Sequence, residues 1–153
     1  MLNYNSVIKN EIKQESISVK EISPVIKINL RGKKREFLTN VGKNLNMILP
    51  TEANTSTTSD KLTAIWLSPD EWMIISNELA SKDTNKSDLY EMLFNSISKT
   101  NLGAVIDVTD QFVQLELKGE NVYEIFSAGS PFNFNEFKEK KGSTTQTVLN
   151  HVD

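Results

Sequence analysis

Few residues in this chain are of types that do chemistry, and their spacing limits what they could do. His151 is the only histidine, and so the only side chain whose ordinary pKa lies near neutrality. It sits on an expected C-terminal strand, with no sequence neighbour to fix its imidazole as a catalytic base requires. Asp107 and Asp110, in IDVTDQ, are three positions apart. On a strand that spacing points side chains to opposite faces, so a shared acid–base pair would need a bend between them. Asp107 lies among apolar neighbours, and its carboxylate is expected to accept hydrogen bonds from a turn or backbone N–H. Asp70-Glu71 follows Ser68-Pro69, where capping explains the acids better than metal binding, because oxygen-ligand metals need more convergent ligands. Cysteine is absent, which excludes disulfides, thiolate metal sites and thiol catalysis. No glycine-rich phosphate loop or nucleophile elbow occurs, and no catalytic residue is assigned.

Other residues read as structural or interface positions. Trp66 and Trp72 flank the SPDE segment and are expected to anchor a packed hairpin rather than stack a cofactor. The compact basic run Arg31-Gly32-Lys33-Lys34-Arg35 reads as a solvated turn after a strand in preference to an anion site. Arg31 and Arg35 are the only arginines beside 15 lysines, and arginine makes planar bidentate contacts that lysine cannot. Phe132, Phe134 and Phe137 crowd an irregular, charge-flanked segment, where they either fold onto the core or dock a partner.

The 153 residues, 38% hydrophobic and 24% charged, suit a single globular domain with a real core. Residues 1–50 hold 9 Lys+Arg against 4 Asp+Glu, while the rest of the chain is acidic enough to bring the net charge to −3. The basic residues are interleaved with apolar ones and the pI is near 5.3, which argues against a phosphate-tracking surface and hence nucleic acid. No segment is apolar for long enough to span a bilayer or to form the core of a signal peptide. The expectation is no membrane partner and a cytoplasmic location.

The elements that must position these residues follow from periodicity. Residues 1–16 are a polar, flexible or partner-docked arm, and 17–153 form the domain. Strands are expected at 17–22 and 25–30, the second half-buried with Ile26, Ile28 and Leu30 on one face. A helical stripe of Phe37, Leu38, Val41 and Leu45 follows, stopped by Pro50. Residues 51–60 are a loop. WLSPDEWMII reads as strand, capped corner, strand. A helix over 87–99 buries Leu89, Met92, Leu93 and Ile97. Strands at 103–109 and 112–117 are joined near Asp110, with Ala104, Ile106 and Val108 sharing one face and Val113, Leu115 and Leu117 another. A short helix carries Val122, Ile125 and Phe126 on one side and stops at Gly129. The last strand is 144–152. The order is α+β, with antiparallel sheets, helices on one face and ferredoxin-like ββα units. The last strand would leave a sheet edge exposed.

Six phrases in order, INLRG at 28–32, LPTEANT at 49–55, WLSPDEWMI at 66–74, VIDVTDQ at 105–111, LKGENVYEIFSAGSPFNF at 117–134 and QTVLNHVD at 146–153, resemble the gamma subunit of heterotetrameric sarcosine oxidase. More distantly, the pattern is similar to the folate-binding glycine-cleavage T-protein. The resemblance implies a T-protein-like fold and a non-catalytic place in a complex with alpha, beta and delta subunits, chiefly against alpha. It implies that the complex oxidatively demethylates sarcosine to glycine, passing the one-carbon unit to tetrahydrofolate. The FAD, FMN, NAD and zinc of such a complex would lie in the other subunits, with no cofactor or metal in this chain. Arg31, Trp72, Phe132 and Phe134 are the expected structural or interface residues. Family members usually continue beyond the HVD position with a further strand, so an apparent C-terminal truncation is expected here. The alternatives are a free-standing folate-binding or aminomethyl-transfer module, with Asp107 or Asp110 as its carboxylate, and a generic interaction module using the Phe132–Phe137 loop.

Overall fold

A computed structural model describes residues 5–22, 24–79, 87–138 and 140–150. Eight strands and three helices alternate as β1 (Ile12–Gln14), β2 (Ile17–Glu21), β3 (Val25–Arg31), α1 (Arg35–Leu45), β4 (Ser56–Thr58), β5 (Leu62–Ser68), β6 (Glu71–Leu79), α2 (Ser87–Leu93), β7 (Ala104–Asp107), β8 (Leu115–Lys118) and α3 (Val122–Gly129). They form two antiparallel sheets, one ordered β4-β5-β6-β3-β7 and the other β1-β2-β8. The fold is α+β with antiparallel sheets, as the residue pattern indicated.

The larger sheet carries the main core on one face, and pairing register explains why. Leu30 lies opposite Trp72 and Val105, and Ile28 opposite Ile74. Ala64 also pairs with Ile74, so Ile28, Leu30, Ala64, Trp72, Ile74 and Val105 share one side. Against that side lie Phe37, Val41 and Leu45 of α1, and Leu93 and Ile97 from the second helical segment. Phe37, Val41, Leu93 and Ile97 are fully buried, and each such side chain contributes roughly 1.5–3 kcal/mol. The α1 stripe is therefore the one its spacing indicated. The helix ends at Asn46, which adopts the left-handed conformation (φ 49, ψ 44), before Pro50 is reached.

Several expectations are corrected. β3 is buried on both faces: Lys27 and Asn29 are covered as well as Ile28 and Leu30, with the Lys27 backbone hydrogen-bonded to Thr109. Residues 51–60 contain β4, an edge strand on β5. The 87–99 helix is α-helical only to Leu93 and then π-helical from Phe94 to Ser98. The strands near Asp110 do not form a hairpin: β7 pairs with β3, and β8 pairs with β2 in the other sheet. A 3-10 turn, Thr109–Gln111, carries the chain between them. On β7 the buried residue is Val105, while Ala104 and Ile106 are exposed, because Val105 is the one opposite Leu30. Val108 is also buried, since the strand has ended and its alternation no longer applies. In the neighbouring segment Val113 and Leu115 are about half exposed, at 51% and 44%. Ile125 of α3 is 47% exposed, while Val122 and Phe126 are half-buried. Residues 144–148 are irregular rather than a strand. They are held by single contacts, Thr144 N–H to Asn54 O at 2.9 Å and Gln146 Nε2 to Leu67 O at 2.8 Å. Residues 12–14, at the end of the expected arm, pair with β2 as β1.

Candidate functional site

A polar cluster forms where β3 ends against the β5–β6 hairpin. Pro69-Asp70 is a two-residue turn between the two strands, so Ser68 does not cap a helical turn. Instead its hydroxyl donates to Asp70 Oδ1 at 3.0 Å. The Asp70 backbone carbonyl accepts from Gly32 N–H at 3.0 Å, and Lys33 Nζ lies 3.6 Å from Asp70 Oδ2. Glu71 is shared: Asn29 Nδ2 donates to Oε1 at 2.8 Å, and Arg31 Nη2 lies 3.5 Å from Oε2. The basic run after β3 thus meets an acidic corner. The Ser68 hydroxyl, with the Lys33 and Arg31 charges, holds the Asp70 carboxyl below the usual carboxylate range, against a smaller opposing effect of desolvation. Two of the run's four cations have carboxylate partners, consistent with the turn reading of that run.

Trp72 faces the apolar core at 2% exposure. Its indole nitrogen donates to Pro50 O at 2.8 Å, and its ring lies 5.7 Å from that of Phe37. Trp66, its cross-strand partner, is half-buried and lines a cleft of about 270 Å³ with Lys33, Thr51, Ala53 and Pro69. The two tryptophans anchor the hairpin.

The Phe132–Phe137 segment folds back on α3. Phe134 stacks on Phe126 with centroids 5.0 Å apart, meets Phe132 edge-on at 5.0 Å and Phe137 edge-on at 5.9 Å. Phe134 is buried to 6% exposure, while Phe132 and Phe137 are half-buried. Aromatic packing of this kind makes a small satellite core.

Asp107 Oδ1 accepts from Thr109 N–H at 2.9 Å, a turn hydrogen bond of the kind its sequence context indicated, although the residue is exposed. Asp110 is in the 3-10 turn after it. His151 lies outside the described residues.

Sequence reasoning missed Lys27 and Gln114. Lys27 is only 4% exposed. Its backbone N–H donates to Thr109 Oγ1 at 3.0 Å, and its ammonium donates to Val25 O at 3.4 Å. Burial pushes the ammonium below the ordinary lysine value, while the Asp110 carboxylate pulls it back up. A pocket of about 260 Å³ is lined by Lys27, Asp110, Gln114, Phe112, Val113 and Ile22, among others. The Gln114 side-chain oxygen is buried without a hydrogen-bond partner among the described residues. The available signal was a lysine inside the otherwise apolar VIKI stretch, residues 25–28.

These features define an α+β domain built around an apolar sheet face, with its polar groups engaged in turns and strand ends. Among the described residues no cluster of three or more His, Asp or Glu could hold a metal ion, and no described helix is long and apolar enough to cross a membrane. No family model and no curated protein matches the chain. Its structure is similar to a chain of the heterotetrameric sarcosine oxidase from Corynebacterium sp. U-96, solved in complex with pyrrole 2-carboxylate. The TM-score is 0.77 at 16% identity, over 93% of this chain and 70% of that one. At that identity the likeness establishes the shared fold.

Proposed function

We propose that this chain is a non-catalytic, gamma-type subunit of a heterotetrameric sarcosine oxidase. The observation carrying the reading is the fold likeness, with a TM-score of 0.77 over 93% of this chain. In this role the chain contributes surface and rigidity to an oxidoreductase complex acting on CH–NH donors. Its partners are alpha, beta and delta subunits, chiefly alpha. The complex oxidatively demethylates sarcosine to glycine and passes the one-carbon unit to tetrahydrofolate. FAD, FMN, NAD and zinc are held by the other chains, and the setting is the cytoplasm.

Arg31 and Trp72 fix the β5–β6 hairpin, and the Phe132–Phe134 segment and residues 1–16 offer contact surface. Co-expression with alpha, beta and delta chains, followed by native mass spectrometry, tests the reading. A stable 1:1:1:1 assembly that oxidises sarcosine is expected. Failure of this chain to enter the assembly, or flavin bound by this chain alone, overturns it.

A further inference from the structure

An open groove of about 660 Å³ runs along the outward side of α1, lined by Arg35, Leu38, Thr39, Gly42 and Lys43 of the helix and by Ile48 beyond it. The helical residues recur every three or four positions, so they share one side of α1, while Phe37, Val41 and Leu45 are buried in the core on another. Gly42 presents no side chain and leaves the middle of the groove open; the Met47 carbonyl comes within 3.1 Å of where a Cβ would stand. Past the helix end the chain alternates. Met47 and Leu49 are buried, and Ile48 between them is 82% exposed, the highest value of any large apolar side chain among the described residues. The cleft of about 270 Å³ beside Trp66 shares Leu38 and Thr51 with this groove, so the two adjoin. Lys33, Arg35 and Lys43 line the combined surface and no acidic residue does, in a chain whose net charge is −3. Lys33 reaches Asp70 at 3.6 Å. Arg35 and Lys43 are exposed and have no carboxylate partner among the described residues. Local positive charge beside exposed apolar surface, opposite in sign to the whole chain, is what an acidic partner would complement.

We propose that this groove docks a segment of a partner polypeptide that is acidic and carries apolar anchors. Its carboxylates meet Arg35 and Lys43, and an apolar side chain packs against Leu38 and Ile48. Charge complementarity selects this occupant. A polyanion without apolar groups would leave Ile48 in water, and a purely apolar segment would leave both cations without a partner. Docking here is a property of the chain itself and stands apart from its place in an oxidase complex.

The test is a chemical-shift titration of the full chain with a soluble peptide of repeated Glu-Glu-Leu, beside peptides of repeated Lys-Lys-Leu and Glu-Glu-Ser. With Glu-Glu-Leu, saturable shifts are expected at the amides of Leu38, Thr39, Lys43 and Ile48, and added salt should weaken them. Glu-Glu-Ser should bind about tenfold more weakly for want of apolar burial, and Lys-Lys-Leu should not saturate. Ile48→Ser, and Arg35→Glu combined with Lys43→Glu, alter exposed side chains, so the fold should persist. Each should weaken Glu-Glu-Leu binding about tenfold. The proposal is overturned by the absence of saturable shifts, by shifts confined to other surfaces, by Lys-Lys-Leu or Glu-Glu-Ser matching Glu-Glu-Leu, or by binding that survives either variant. It is also overturned by self-association in sedimentation velocity that Ile48→Ser abolishes, since the occupant would then be a second copy of this chain.

Discussion

The indole nitrogen of Trp72 donates to the carbonyl oxygen of Pro50 at 2.8 Å, joining the start of β6 to the segment that follows α1. Both residues are buried, so this carbonyl depends on the indole for its partner. Trp72→Phe keeps a ring against Phe37 and removes the donor. The expected loss is about 1–3 kcal/mol, read as a lower urea midpoint with an unchanged m-value.

Gly32 lies against the face of Phe37, and a Cβ at that position would overlap the ring. Phe37 is fully buried and cannot move without disturbing Trp72, its neighbour at 5.7 Å. Gly32→Ala is therefore expected to destabilise the domain by about 1–3 kcal/mol. A lowered thermal midpoint with unchanged secondary structure would confirm it, and an unchanged midpoint would contradict it.

Asp70 titrates below its ordinary value of 3.8 because the Ser68 hydroxyl and nearby cations favour its charged form. A carboxyl depressed in the folded state stabilises above its unfolded pKa, and that contribution is lost as pH falls through the folded value. The window therefore opens below 3.8. Ser68→Ala should move the Asp70 titration, followed by carboxyl carbon NMR, back toward its ordinary value.

Lys27 shifts in the same direction for the opposite reason: folding disfavours its charged form, where it favours that of Asp70. Its folded pKa lies below 10.5, so the unfolded chain binds the proton more readily. Stability should rise with pH between the folded value and 10.5, and level off where both states are neutral. Lys27→Met should flatten that slope and stabilise the chain by about 1 kcal/mol at neutral pH, since it removes a buried charge. Denaturation midpoints at pH 7 and in the alkaline range would show both effects.

The phenylalanine cluster separates packing from association. Phe134, at 6% exposure, should cost about 3–5 kcal/mol on change to alanine, lowering the denaturation midpoint. Phe132 is half-buried, and Phe132→Ser should leave the fold standing while weakening capture of the partner chains in a pull-down. Undiminished capture by folded Phe132→Ser would remove that segment from the interface.

Legibility in the sequence followed the range of the interactions. The α1 stripe was readable because residues one turn apart must share a face whatever surrounds them. The SPDE corner was readable as a corner between strands, although Ser68 proved to hold Asp70 rather than a helix end. The 103–117 region was not readable. Two adjacent apolar strands suggest a hairpin, and nothing local reveals that β7 and β8 join different sheets. The burial of Lys27 was hidden for the same reason: a lysine beside isoleucines looks like the wet face of a strand until a segment distant in sequence, with Thr109, packs over it.

Composition and periodicity by themselves determined the α+β class, the helical stripe over Phe37–Leu45 and the exclusion of thiol chemistry, because each depends on residue type and nearest-neighbour geometry. Only the tertiary structure decided which strands pair, that Glu71 bridges Asn29 and Arg31, and that Lys27 and Gln114 line one pocket. Those contacts join residues far apart in the chain. Their positions depend on how the sheets and helices pack as a whole, which no local stretch of sequence encodes.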